Sequence, residues 1–206
     1  GQEPRIVLHG QTVSGGVPGG VPGGVSGVRT GADIDLRVDA LLAVARLSDP
    51  QSVPGLLRLT RSREKQVRLA ALYGLLRLAD KLDRAQLGQL DPLLGDAAPG
   101  CRALAALLFG RVSELSGQPI APKIRSQLVA ALETRRVRND DADELFASAA
   151  AQALGRARDR AAVPLLIDVL RLGNDEVERQ AAWALGRTGD PRALPALVRA
   201  VFGKQP

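Results

Sequence analysis

The chain has no methionine, a single cysteine (Cys101) and a single histidine (His9), and only 2% of its 206 residues are aromatic. One cysteine excludes an intramolecular disulfide framework and any multi-cysteine zinc or iron–sulfur site. One histidine excludes a histidine-built metal centre or a His–His acid/base pair. The longest purely apolar runs, such as Ala103–Gly110, fall far short of the roughly 20 residues that cross a bilayer. Lysine is scarce too: 4 of the 28 basic residues, which leaves 24 arginines. With abundant Ala, Leu and Gly, that bias reads as coding pressure from a GC-rich genome, so arginine numbers alone carry no functional argument. The missing start Met points to an exported mature chain or the C-terminal module of a larger protein.

What the chain does have is a net charge of +6, a pI near 10.4, 45% hydrophobic residues, 22 Gly and 13 Pro. These divide unevenly. Residues 1–31 hold the segment Gly16-Val-Pro-Gly-Gly-Val-Pro-Gly-Gly-Val-Ser-Gly27, with a period of four. Glycine loses much entropy on ordering and proline excludes regular hydrogen bonding, so this segment is expected to be a flexible tether. Arg5–His9 is a candidate short strand with no obvious partner nearby.

Residues 32–206 repeat at helical period. Ala40–Pro54 aligns without a gap with Ala181–Pro195, and Ala150–Pro164 aligns with the same segment at an offset of 31. An arginine anchors each unit: Arg46, Arg77, Arg111, Arg156 and Arg187, spaced 31, 34, 45 and 31. Three residues later stands Asp49, Asp80, Asp159 or Asp190, with Glu114 in the remaining unit. Counting back from each anchor, position −6 is always Ala (40, 71, 105, 150, 181). Position −10 is apolar (Leu36, Val67, Cys101, Phe146, Val177), as is position −2 (Val44, Leu75, Phe109, Leu154, Leu185). This i, i+4, i+8 stripe is one face of an α-helix, with the small Ala admitting a close neighbour. A turn and a second helix follow, with Pro54, Pro164 and Pro195 in its first turn, where the missing N–H costs nothing. Neither helix of such a pair can bury its face alone, so stacked pairs make the core.

Val67-Arg-Leu-Ala-Ala-Leu-Tyr-Gly74 and Ala181-Ala-Trp-Ala-Leu-Gly-Arg-Thr-Gly-Asp-Pro-Arg-Ala-Leu-Pro195 resemble HEAT repeats of the short type found in phycobilisome lyases. The resemblance covers roughly residues 33–203 and thins around 84–136. It implies an all-α fold, a right-handed α-solenoid of about five helix pairs behind the N-terminal tether. The family's Val-Arg pair is kept at Val67-Arg68, as Leu36-Arg37 and as Cys101-Arg102, and is lost at Phe146-Ala147 and Val177-Glu178.

No catalytic constellation emerges, and neither a metal nor a cofactor is expected. The iron-dependent hydroxylases of similar fold need several His-Glu pairs, and the DNA glycosylases need aromatics with a carboxylate in a basic groove. Cys101 fills a core slot and reads as a small hydrophobe. His9 reads as solvated. Asp140-Asp-Ala-Asp-Glu144 lacks the glycine and distal glutamate of a calcium loop and reads as a helix start. Positions −8, −4 and 0 make a second, surface stripe: Leu69, Tyr73, Arg77; Ser148, Gln152, Arg156; Arg179, Trp183, Arg187. The candidate binding residues are therefore Tyr73, Arg77, Arg111, Arg156, Arg179, Trp183 and Arg187. The aromatics would be anchors and the arginines an orienting row.

The expected function is a non-catalytic scaffold holding a protein partner, with an acidic surface or segment, on its concave face. A nucleic-acid or polyanion binder is the alternative, favoured by Arg58, Arg61, Arg63, Lys65, Arg68 and Arg135, Arg136, Arg138. Interleaved acids and the lack of an aromatic platform count against it. An accessory subunit of a chromophore-lyase-like enzyme comes third.

Overall fold

The computed structural model describes residues 31–138, 144–171 and 175–203, the side chains of 135–138 and 175 excepted. The expected tether and the Arg5–His9 strand lie outside these residues, except that Gly31 already opens the first helix. Ten α-helices run in order: α1 Gly31–Leu47, α2 Val53–Leu59, α3 Lys65–Arg77, α4 Arg84–Gly88, α5 Pro99–Ser116, α6 Pro122–Arg138, α7 Glu144–Arg156, α8 Val163–Val169, α9 Asp175–Thr188 and α10 Leu194–Phe202. No strand occurs among the described residues. The fold is an all-α solenoid.

Its two layers follow from the two helices of each unit. The anchor helices α1, α3, α5, α7 and α9 stack on one another in sequence. The second helices cover them from one side, α2 packing on α3, α6 on α7 and α8 on α9. Second-layer neighbours meet far less, α6 on α8 being the main contact.

Local chemistry sets each turn between layers. Asp49, Asp159 and Asp190 each accept the backbone N–H two residues on, at 2.9 Å, and so cap a 3-10 turn that leads into the second helix. The residue just before each Asp is in, or adjoins, a left-handed turn: Ser48 (φ 52°), Arg158 (φ 52°) and Gly189 (φ 63°). Only glycine meets that φ without a Cβ penalty. Pro54, Pro164 and Pro195 stand in the first turn of α2, α8 and α10 as expected. The stretch of thinner resemblance departs from the plan. Its second-layer helix is reduced to α4, opened by a capping box between Asp83 and Gln86, and to a 3-10 turn over Asp91–Gly95 that buries Leu93 and Leu94.

The core is one continuous cluster, and positions −10, −6 and −2 are buried in the last four units. The first unit is a correction. Leu36 and Ala40 are exposed, and among the described residues no helix precedes α1 to cover them. Close approach between anchor helices is also seen at a second pair of slots. Position −1 of one unit meets position −3 of the next: Ala45 with Gly74, Gly110 with Ala153, Gly155 with Ala184. Between α3 and α5 these slots hold Leu76 and Leu108, and those two helices meet less closely.

Candidate functional site

Three of the five anchor arginines converge on one carboxylate. Glu114 Oε2 accepts from Arg111 Nη1 at 3.0 Å and from Arg156 Nη1 at 2.6 Å, while its Oε1 accepts from Arg187 Nη2 at 2.6 Å. The donors come from α5, α7 and α9, so the cluster ties three consecutive units together. Burial alone would raise the Glu114 carboxyl, but the hydrogen bonds from Arg156 and Arg111 and the charges of Arg156 and Arg187 outweigh it and hold the group below its ordinary value.

Trp183 completes the site. Its ring lies over Gly155, where a Cβ would sit 3.0 Å from Cζ3. The guanidinium carbons of Arg156 and Arg187 stand 5.6 and 5.7 Å from the ring centroid, within cation–π reach. The indole remains 40% exposed. Among the described residues, the Nε–H of Arg187 is buried without an acceptor. Three guanidiniums against one carboxylate leave a local charge of +2 beside an exposed aromatic edge. Such a surface can receive an anionic group and an apolar side chain together.

Of the expected residues, Arg111, Arg156, Arg187 and Trp183 are thus brought into one constellation. Tyr73, Arg77 and Arg179 stand apart from it. Arg77 Nε donates to the Ala45 carbonyl at 3.0 Å and so satisfies an orphan acceptor in the last turn of α1. Tyr73 packs, half-buried, against the core. Arg179 pairs with Glu176 one turn back on the same helix.

Glu114 is the residue that sequence reasoning left without a role. The signal was present: it is the only Glu in a slot that otherwise holds Asp, and no turn follows Arg111. Helix α5 runs on to Ser116, so Glu114 shares a face with Arg111 at i, i+3 instead of capping a turn.

A second polar cluster lies at the far end. Arg68 grips Asp96 with two bonds of 2.8 Å, and Arg102 Nη1 donates to the Asp96 carbonyl at 2.7 Å. Asp96 also accepts from the Ala98 N–H at the start of α5, a structural role. Cys101 is buried, as its core slot requires, and burial pushes its thiol upward. Of the acidic run at 140–144, only Glu144 is described, in the first turn of α7. Among the described residues, no three His, Cys, Asp or Glu side chains come together as a metal set, and no helix is long and apolar enough to cross a membrane.

Residues 132–201, from the middle of α6 through α10, match the family model for HEAT repeats. No curated protein is similar enough to the chain to count as a match.

Proposed function

We propose, from the premise that this is a HEAT-repeat protein, that it is a non-catalytic scaffold binding an acidic segment of a partner protein on its anchor-helix layer. HEAT repeats are in general protein-interaction scaffolds, and solenoids bind along their concave surface. The anchor helices approach one another more closely than the second-layer helices do. The reading takes that layer as the concave side. The observation that carries the reading is the Arg111–Arg156–Arg187 cluster, prearranged on Glu114 and flanked by exposed Trp183. Because Glu114 already holds the guanidiniums, a carboxylate-bearing segment would meet them with little further side-chain entropy to lose.

The test is a fluorescence titration with synthetic peptides in which Glu or Asp flanks Leu or Phe. Wild type is to be compared with Trp183→Ala and Arg156→Ala. The expected result is binding that weakens about tenfold or more in each variant, the scale of an interface anchor. Equal affinity in all three proteins would remove the site from this face.

One observation favours a second reading. A shallow groove beside α1 is lined by Arg37, Arg58, Arg61 and Arg63 with a single acid, Glu64. Arg37 Nη1 is buried there without an acceptor among the described residues. A polyanion would fit this groove better than a peptide carboxylate. Arg135, Arg136 and Arg138, which belong to the same alternative, have side chains outside the described residues. Single-stranded DNA binding tighter than any acidic peptide, and falling steeply with salt, would put this reading first.

A further inference from the structure

Among the described residues, the repeat leaves two half-interfaces open. Helix α8 packs on α9, and its Val163 (0% exposed) and the adjoining Leu170 (5%) are buried. The residues 31 positions on, in α10, are Leu194 (62%) and Val201 (75%), with Phe202 exposed beside them. Among the described residues no helix covers that face. At the other end, α1 carries the −10, −6 and −2 stripe that is buried on α3 and α9. Leu36 is 70% exposed there, whereas Val67 and Val177, in the same slot, are buried.

The anchor layer has matching loose ends. Its seam pairs position −1 of each unit with position −3 of the next, and small residues fill three of the four joints. Two small residues remain over. Gly186 holds position −1 of the last unit, and a Cβ there would meet nothing within 4 Å. Ala43 holds position −3 of the first unit and is exposed. They form the same kind of pair as Gly155 and Ala184.

We infer that a second copy of this chain docks head to tail, the α9–α10 end of one molecule seating on α1 of the next. The joint reproduces an interface the molecule already makes between its own units. Gly186 lies against Ala43 of the second copy, and Leu194 and Val201 cover the Leu36 stripe. The contact uses two different patches and does not close on itself, so it generates strings or rings and not a lone symmetric dimer. Docking in this way would join the anchor layers of successive copies into one longer surface.

Two variants block one end each without touching the core: Gly186→Leu and Ala43→Leu. Both place a good helix former at an open helical position, so both are expected to fold, which circular dichroism checks. Sedimentation of the full chain then reads mass against the single-chain value of 21.7 kDa. Wild type is expected to grow in mass with concentration through multiples of that value. Each variant alone is expected to remain a single chain. Their equimolar mixture is expected to stop at two chains, because each supplies the one end that the other lacks. Three results would overturn the inference. These are a wild type that holds the single-chain mass at every concentration, a variant that associates like wild type, and a mixture that forms no two-chain species.

Discussion

A methyl group added at Gly110 and one added at Gly186 occupy the same slot in two different units, and their effects should have opposite sign. At Gly110 the new Cβ would lie 2.5 Å from Ala153 Cα, 2.9 Å from its Cβ and 3.1 Å from its carbonyl oxygen. Carbon–carbon contacts are most favourable near 3.5–4.0 Å, so α5 and α7 must part there by about 1 Å. The obstruction is backbone, which no rotamer change relieves. Overpacking of this kind costs about 1–3 kcal/mol, while replacing a mid-helix glycine by alanine returns about 1 kcal/mol. Gly110→Ala is therefore expected to destabilise the chain by up to about 2 kcal/mol. At Gly186 nothing lies within 4 Å, so only the propensity gain remains and Gly186→Ala should stabilise by about 1 kcal/mol. The same parting of α5 and α7 would draw Arg156 Nη1 away from Glu114, from 2.6 Å to beyond hydrogen-bond range, so Gly110→Ala should also loosen the arginine cluster. Urea unfolding followed by circular dichroism, at concentrations where the chain is monomeric, reads both variants. Shifts in the same direction and of equal size would refute the claim that this seam sets the helix spacing.

The depressed Glu114 carboxyl stabilises the fold above the pKa it would have unfolded, and that contribution is lost as pH falls through its lower folded value. Glu114→Gln is therefore expected to lower the melting temperature at neutral pH, and the gap from wild type should close on acidification through and below the ordinary carboxylate range. Asp190 is held at about 2, against an ordinary 3.8, chiefly by the Arg192 side chain and then by the Arg192 N–H. A carbon-detected NMR titration should find it near that value, and Arg192→Ala should move it upward. Cys101 is buried and its thiol is pushed up, so an aromatic disulfide reagent should leave the native chain unlabelled and react only once urea unfolds it.

How much of the site could be read in advance depended on whether its residues keep the repeat register. Arg111, Arg156, Arg187 and Trp183 sit at positions 0 and −4, so periodicity alone placed them on one surface row. Tyr73 and Arg179 share that register yet stay out of the cluster, because Tyr73 leans into the core and Arg179 pairs with Glu176. Arg77 lies one unit before Arg111, across the joint where Leu76 and Leu108 hold α3 and α5 less closely, and it turns instead to Ala45. Glu114 was invisible as a hub because its partners Arg156 and Arg187 lie 42 and 73 residues away.

The sequence by itself determined the repeating helix pairs, their order, the −10, −6 and −2 stripe that is buried in the last four units, and the turns after Asp49, Asp159 and Asp190. Each of these rests on spacing within one helix or one turn, where backbone geometry is the same in every unit. Tertiary structure alone decided the distances between units. The −1/−3 seam, the meeting of three guanidiniums on Glu114, the exposure of Leu36 and the uncovered face of α10 all depend on how closely one helix can approach the next, and on whether a next helix is there. That approach is set by which pairs of side chains face each other across the stack, a pairing that local periodicity does not encode.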